Sequence, residues 1–179
     1  MPFSSREERR LAVPSLAGGT IAGVKMLHTS DWHVGRTIRG RSRADEHRAV
    51  LAEIADIAGS EEVDLILVAG DVFDVSAPNP ESERIVYQAL LALAQVAPVI
   101  VVSGNHDHPR RLQAVAPLLD LGRVSVLALP ERPEDGGVVR FPDIGTRVSM
   151  LPFISQRAIV NADDLMALDP DQHDNKYSG

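Results

Sequence analysis

Four short apolar runs, separated by segments of helical period, set the frame of this chain. "VKMLHTS", "VDLILVAG", "PVIVVSG" and "VSVLAL" are close to continuously apolar, as expected of strands covered on both faces in a parallel sheet. Between the first two, apolar residues at three- and four-residue spacing predict a helix over about Ala44 to Ala58, with Val50, Ile54, Ile57 and Ala58 as its buried face. Asn79 is placed to cap a second helix with Pro80 at its first position, running to about Gln95 with Ile85, Ala89 and Leu93 on one face. Pro109 fits the first turn of a third helix that turns Leu112, Val115 and Leu119 inward and ends at Gly122. "GGVVRF" and "TRVSMLPF" predict a later hairpin around Pro142 to Gly145, and the acidic tail "NADDLMALDPDQHDNKYSG" shows no clear element.

Strand and helix alternate, which predicts an α/β fold with right-handed crossovers. In such sheets ligands bind at the carboxyl ends of the strands. Asp31 and His33 follow the first strand, Asp71 and Asp74 the second, and Asn105 and His106 the third, so three motifs distant in sequence are expected at one sheet edge.

Composition narrows the chemistry. The 179 residues suit one domain. The net charge of -7 argues against a protein that merely coats nucleic acid, although bound cations would supply positive charge where a phosphate sits. With no cysteine, any metal must be held by oxygen and imidazole nitrogen, and a reducing, cytoplasmic setting is expected. No run reaches the roughly 18 apolar residues of a membrane span. Residues 1–23 hold a basic patch and then a mildly apolar stretch broken by Pro14, Gly18 and Gly19. They are expected to be a flexible extension or the product of a start assigned too early, with Met26 as the alternative first residue. A signal around Arg9-Arg10 is the competing reading.

Each motif alone has a bland reading. Asp31 and His33 can be a turn aspartate and a surface histidine, or an i, i+2 pair gripping one cation. Asp71 and Asp74 can be loop carboxylates, or a metal bridge and a group that orients ligands, with Gly70 permitting the sharp exit from the strand. Asn105 and His106 can form a turn, or supply an oxygen ligand and a proton donor. Asp107 can orient His106 or cap the following helix; His108 is a loop residue or a substrate contact. Trp32 packs beneath the first loop or stacks on a base. Together, carboxylates, imidazoles and an amide without thiolate favour Mn, Fe or Zn, and two such ions can steady a phosphoryl group during in-line displacement. Arg36, Arg39, Arg41, Arg43, His47 and Arg48 follow the first motif, and Arg110 and Arg111 the third, as phosphate contacts or as a solvated face.

"DWH", "GDVFD" and "GNHD", in this order, resemble the first three motifs of the calcineurin-like metallophosphoesterases. "MLHTSDWHVGRTI", "LILVAGDVFDVSAPNPESERIVYQALLAL" and "VIVVSGNHDHPRRL" resemble the SbcD-type nucleases within that family, over about Val24 to Phe153. The resemblance implies a metallophosphoesterase sandwich, here roughly its first half. It implies that Asp31 and His33 bind a first metal, Asp71 bridges two, Asn105 binds the second and His106 is catalytic, with Asp74 and Asp107 in support. It further implies two divalent ions, most suitably Mn2+, and cleavage of DNA as a 3′→5′ exonuclease and single-strand endonuclease. The implied partner is an SbcC-type ATPase, with homodimerisation of the full-length protein and no membrane association. Other phosphodiesterases of the family, or a non-catalytic fragment, are the alternatives. The family's later histidine ligands have no counterpart: His173, in "DPDQHDNK", fits neither missing motif, and no G-H-x-H occurs. Residues 24–179 are therefore expected to be the N-terminal part of the domain, C-terminally truncated, with an incomplete second metal site.

Overall fold

A computed structural model of the chain describes residues 23–155. The expectations for residues 1–22, for the acidic tail and for His173 lie outside the described residues. The elements in chain order are β1 (Met26–Thr29), β2 (Thr37–Ile38), β3 (Arg41–Ser42), α1 (Ala44–Ser60), β4 (Leu65–Ala69), α2 (Pro80–Val96), β5 (Val99–Val102), α3 (Pro109–Asp120), β6 (Val124–Leu127), β7 (Val138–Phe141) and β8 (Thr146–Ser149). β1, β4, β5 and β6 form one parallel sheet in that spatial order, and β7 pairs antiparallel with β8. Each crossover steps in the same direction, so right-handed connections place all three helices on one face.

The near-continuous apolar strands divide their side chains between two cores, because successive side chains alternate faces. Ile66, Val68, Val99, Val101 and Val124 pack with Leu51 of α1, Val86 and Leu90 of α2, and Leu112 and Leu119 of α3. Leu65, Ile100 and Leu127 point the other way, where Met150, Val139, Phe141 and Val148 of the hairpin segment cover them. The result is helices, sheet and hairpin in three layers.

The helices follow their local signals with two corrections. Asn79 Oδ1 accepts a hydrogen bond from the Ser82 N–H at 2.8 Å with Pro80 at the first helical position, as predicted for α2. In α1 the buried face is rotated from the predicted one. Leu51 and Ala58 are buried and Ile54 and Ala55 pack partly against them, whereas Val50 and Ile57 are exposed. Both faces carry apolar residues at helical spacing, and only the position of α2, α1's main packing partner, selects one. At the end of α3 the positive φ falls on Arg123 (65°) rather than Gly122. Gly122 instead sits close to α2: a Cβ there would meet Leu91 Cδ2 at 2.6 Å and push that exposed side chain aside.

Denaturant unfolding of single variants checks the rotated face. Leu51→Ala is expected to cost about 2–5 kcal/mol, while Val50→Ala should stay within about 0.5 kcal/mol of the parent.

Candidate metal centre

The loops after β1 and β4 continue the parallel pairing of those strands beyond their ends. Asp31 N–H donates to the Gly70 carbonyl (3.1 Å), His33 N–H to Asp71 (2.9 Å), Val34 N–H to Val72 (3.1 Å) and Asp74 N–H back to Val34 (3.1 Å). This irregular ladder runs through left-handed backbone: φ is 57° at Asp31, 45° at His33 and 52° at Asp71, with Gly70 at 89°. For non-glycine residues such φ values are uncommon and costly, and they concentrate at functional sites. Here all three belong to residues picked out as metal ligands.

The loop after β5 is pressed against the loop after β4. A Cβ on Gly70 would meet Gly104 Cα at 2.7 Å, and one on Gly104 would meet Asp71 Oδ1 at 2.1 Å, so glycine is required on both sides. Asp107 joins the two loops. Its buried carboxylate accepts from Phe73 N–H at 3.1 Å through Oδ1, and from Gly104 N–H (2.9 Å) and Val72 N–H (3.4 Å) through Oδ2. Burial pushes its carboxyl above the ordinary aspartate value, more strongly than these N–H groups pull it down, and the Asp71 charge adds to the upward push. Ser103, also buried, donates its hydroxyl to the Ala128 carbonyl at 2.7 Å. Of the two expectations for Asp107, the one that it caps α3 is corrected. The α3 cap is His108, whose Nδ1 faces the Arg111 N–H at 3.3 Å, because Asp107 is turned inward to the backbone donors.

Three motifs thereby meet. Asp31, His33 and Asp71 each offer a ligand atom within 4.8 Å of the others, and so do His33, Asp74 and His106. His33 belongs to both groups, its Nε2 3.7 Å from Asp31 Oδ1 and its Nδ1 3.5 Å from Asp74 Oδ1. Asp71 Oδ1 accepts the His106 N–H at 2.8 Å, which fixes the third motif on the second. The His106 Nδ1 lies 2.8 Å from the Asp74 carbonyl, and the His33 and His106 rings meet edge to face at 4.7 Å. Asn105, beside them, is exposed. The donor set of carboxylate oxygen and imidazole nitrogen fits a divalent ion. The His33 Nδ1, buried yet without a hydrogen-bond partner, is the kind of orphaned atom that a bound cation explains.

The surrounding charges separate into free and engaged. Arg36, Arg39, Arg41 and Arg110 are exposed, and none has an ion-pair partner among the described residues. Arg39 and Gly40, both left-handed, turn the β2–β3 hairpin. Arg111 is instead paired with Glu83 at 2.7 Å, and Arg43 and Arg48 pair with Glu46, Asp45 and Glu81. Burial, then the nearby Arg43, lowers the His47 pKa, so this imidazole adds no charge to the cluster at neutral pH. Trp32 is 8% exposed and donates its indole N–H to Thr29 Oγ1, packed beneath the loop.

Replacing Asp107 by Asn puts an NH2 against backbone donors. We expect a loss of about 1–3 kcal/mol by denaturant unfolding, with increased amide exchange at Val72, Phe73 and Gly104.

The sequence resembles those of known proteins. The sequence profile of the calcineurin-like phosphoesterase family matches residues 24–164. The chain is 41% identical over 146 residues to the protein of Rhodobacter capsulatus named as the D subunit of nuclease SbcCD, covering 74% of this chain and 36% of that protein. It is 40% identical over 109 residues to the like-named protein of Bacillus subtilis (60% and 28%) and 32% identical over 161 residues to that of Escherichia coli K12 (84% and 38%). The chain thus spans well under half the length of these relatives. No helix among the described residues is long and apolar enough to cross a membrane. Asp31, His33, Asp71 and His106 all lie within the matched stretch, and the chain belongs to the calcineurin-like phosphoesterase family.

Proposed function

We propose that the chain is the front part of a metal-dependent phosphodiesterase that cleaves DNA, an SbcD-type nuclease. The observation that carries this reading is the convergence of Asp31, His33 and Asp71 on left-handed backbone beside His106. Asp31 and His33 hold a first divalent ion, Asp71 reaches toward a second, and Asn105 presents its amide oxygen to that second ion. When bound, such ions neutralise charge on a phosphoryl group and lower the pKa of an attacking water. Asp71 doubles as a brace, since its carboxylate also holds the main chain at His106. In the tautomer that donates from Nδ1 to the Asp74 carbonyl, His106 has its Nε2 free of the protein. Protonated there, it is the group that can give a proton to the departing oxygen.

Arg36, Arg39, Arg41 and Arg110, exposed and without an ion-pair partner among the described residues, support a polyanionic substrate for an otherwise acidic protein. Arg111 joins them only by exchanging Glu83 for a phosphate. The name of the SbcCD relatives supports an SbcC-type ATPase as partner; Mn2+ as the ion and a cytoplasmic location are what the family resemblance implies. Homodimerisation of the longer protein is likewise what the family resemblance implies.

In the complete protein, His106→Ala should slow Mn2+-dependent release of nucleotides from linear duplex DNA by about 10²–10⁴-fold with metal binding retained. Asp31→Asn and Asp71→Asn should lose metal affinity on calorimetry. Hydrolysis of a small phosphodiester with no cleavage of DNA would instead assign a small-nucleotide substrate. Neutralising Arg36, Arg39 and Arg41 together should lower the slope of log affinity for DNA against log salt by about one for each phosphate no longer neutralised; an unchanged slope removes these residues from the DNA interface.

A further inference from the structure

The hydroxyl of Tyr87, on α2, is buried and has no hydrogen-bond partner among the described residues. Buried polar groups left in this state are rare and costly. Its ring meets that of Phe73 edge to face, with centroids 6.1 Å apart, so it stands against the loop that carries Asp71 and Asp74. We propose that Tyr87 is a stand-in donor for Glu83: when Arg111 leaves Glu83 to hold a DNA phosphate, the Tyr87 hydroxyl takes its place on the carboxylate. Arg111 is then a substrate contact held in reserve in the free protein. The exchange stands on these three residues; the phosphate as the destination of Arg111 rests on the nuclease reading above.

Arg111 holds Glu83 by one oxygen. Its Nε donates to Oε1 at 2.9 Å and Nη2 lies 2.7 Å from the same atom, which leaves Oε2 outside the pair. The Arg111 side chain is 45% exposed, in the first turn of α3 after Asn105 and His106, so it has room to turn toward a strand at the ligand loops. The Glu83 side chain is more enclosed, at 25%. Left there without a donor, its carboxylate would lose charge-assisted hydrogen bonds with little water to replace them, and that cost opposes the release of Arg111.

Tyr87 offsets this cost. Glu83 and Tyr87 are four residues apart on α2, and helical side chains lean toward the N-terminus, so the Tyr87 ring lies over the turn that carries Glu83. In this structure the carboxylate is turned to Arg111 on α3. Once released, it can turn back along its own helix to the hydroxyl. Burial, and then the Glu83 charge, push the Tyr87 hydroxyl above its ordinary pKa, so it keeps the proton it would donate. The contact with Phe73 holds the ring in place, so little side-chain freedom remains to be lost when the new bond forms.

The purified 179-residue chain tests the exchange without DNA, by a double-mutant cycle in denaturant unfolding. Tyr87→Phe in the parent should leave the folded-to-unfolded ratio within about twofold, since the hydroxyl it removes has no partner. In an Arg111→Ala background the same change should lower that ratio about fivefold or more, since the hydroxyl is then bound to Glu83. Equal effects in the two backgrounds overturn the proposal. If Arg111→Ala does not fold, Arg111→Met, which keeps the apolar stem, repeats the cycle. Binding of a short DNA duplex, followed by anisotropy across a salt series, tests the destination of Arg111. Arg111→Ala should lower the slope of log affinity against log salt by about one. Tyr87→Phe should weaken binding about fivefold, and Glu83→Gln should tighten it about threefold. Parent-like affinity in Tyr87→Phe, or a parent-like slope in Arg111→Ala, overturns the proposal. A parent chain that binds no DNA, with the cycle still coupled, would remove the nuclease reading and leave the exchange between Arg111 and Tyr87 standing.

Discussion

The buried carboxylate of Asp107 ties together the parts on which the site depends. Burying a charge is costly unless it is hydrogen-bonded, and this one accepts from Val72, Phe73 and Gly104 N–H groups drawn from two loops. It supplies acceptors to N–H groups of backbone that has passed the ends of β4 and β5. The Gly70–Gly104 contact brings those loops to a separation that any side chain would prevent. With the loops so joined, Asp71 can accept from the His106 main chain and strained φ angles can persist at three proposed ligands. The local strain is held in place by a surrounding network that fixes it from several sides.

The electrostatic design follows a similar logic. A chain of net charge -7 gathers carboxylates at one sheet edge, an arrangement that repels itself unless cations are present. The exposed guanidinium groups of the β2–β3 segment have no ion-pair partner among the described residues, while Arg48 and Arg111 on the helices are committed to carboxylates. Asp74 faces two imidazoles: its carbonyl lies 2.8 Å from His106 Nδ1, and its carboxylate stands 3.5 Å from His33 Nδ1.

Where the sequence signal was local, it was legible. Asn79-Pro80 starts α2 because a side-chain acceptor and a missing N–H satisfy the helix start without outside help. The apolar runs become β4 and β5 because both faces of each are covered. Other features depended on partners. Val50 and Leu51 are both apolar and adjacent, and the packing of α1 on α2 decides that Leu51 is buried. His108 caps α3 only because Asp107 is engaged elsewhere. Nothing in "LGR" signals that Gly122 makes room for a side chain of α2 while Arg123 takes the left-handed turn.

By itself the sequence determined the alternation of strands and helices, the placement of three ligand-bearing motifs after three strands, and the absence of thiolate chemistry. These follow from residue periodicity, chain direction and side-chain type, which need no knowledge of what lies opposite. Only the tertiary structure decided that His33 faces two ligand groups at once, that Asp107 is a buried tie rather than a cap, and that Arg111 is paired while Arg39 has no ion-pair partner among the described residues. Those outcomes rest on distances between residues far apart along the chain. Such distances are set by how closely two glycines let the loops approach and by where the packed helices leave the charges.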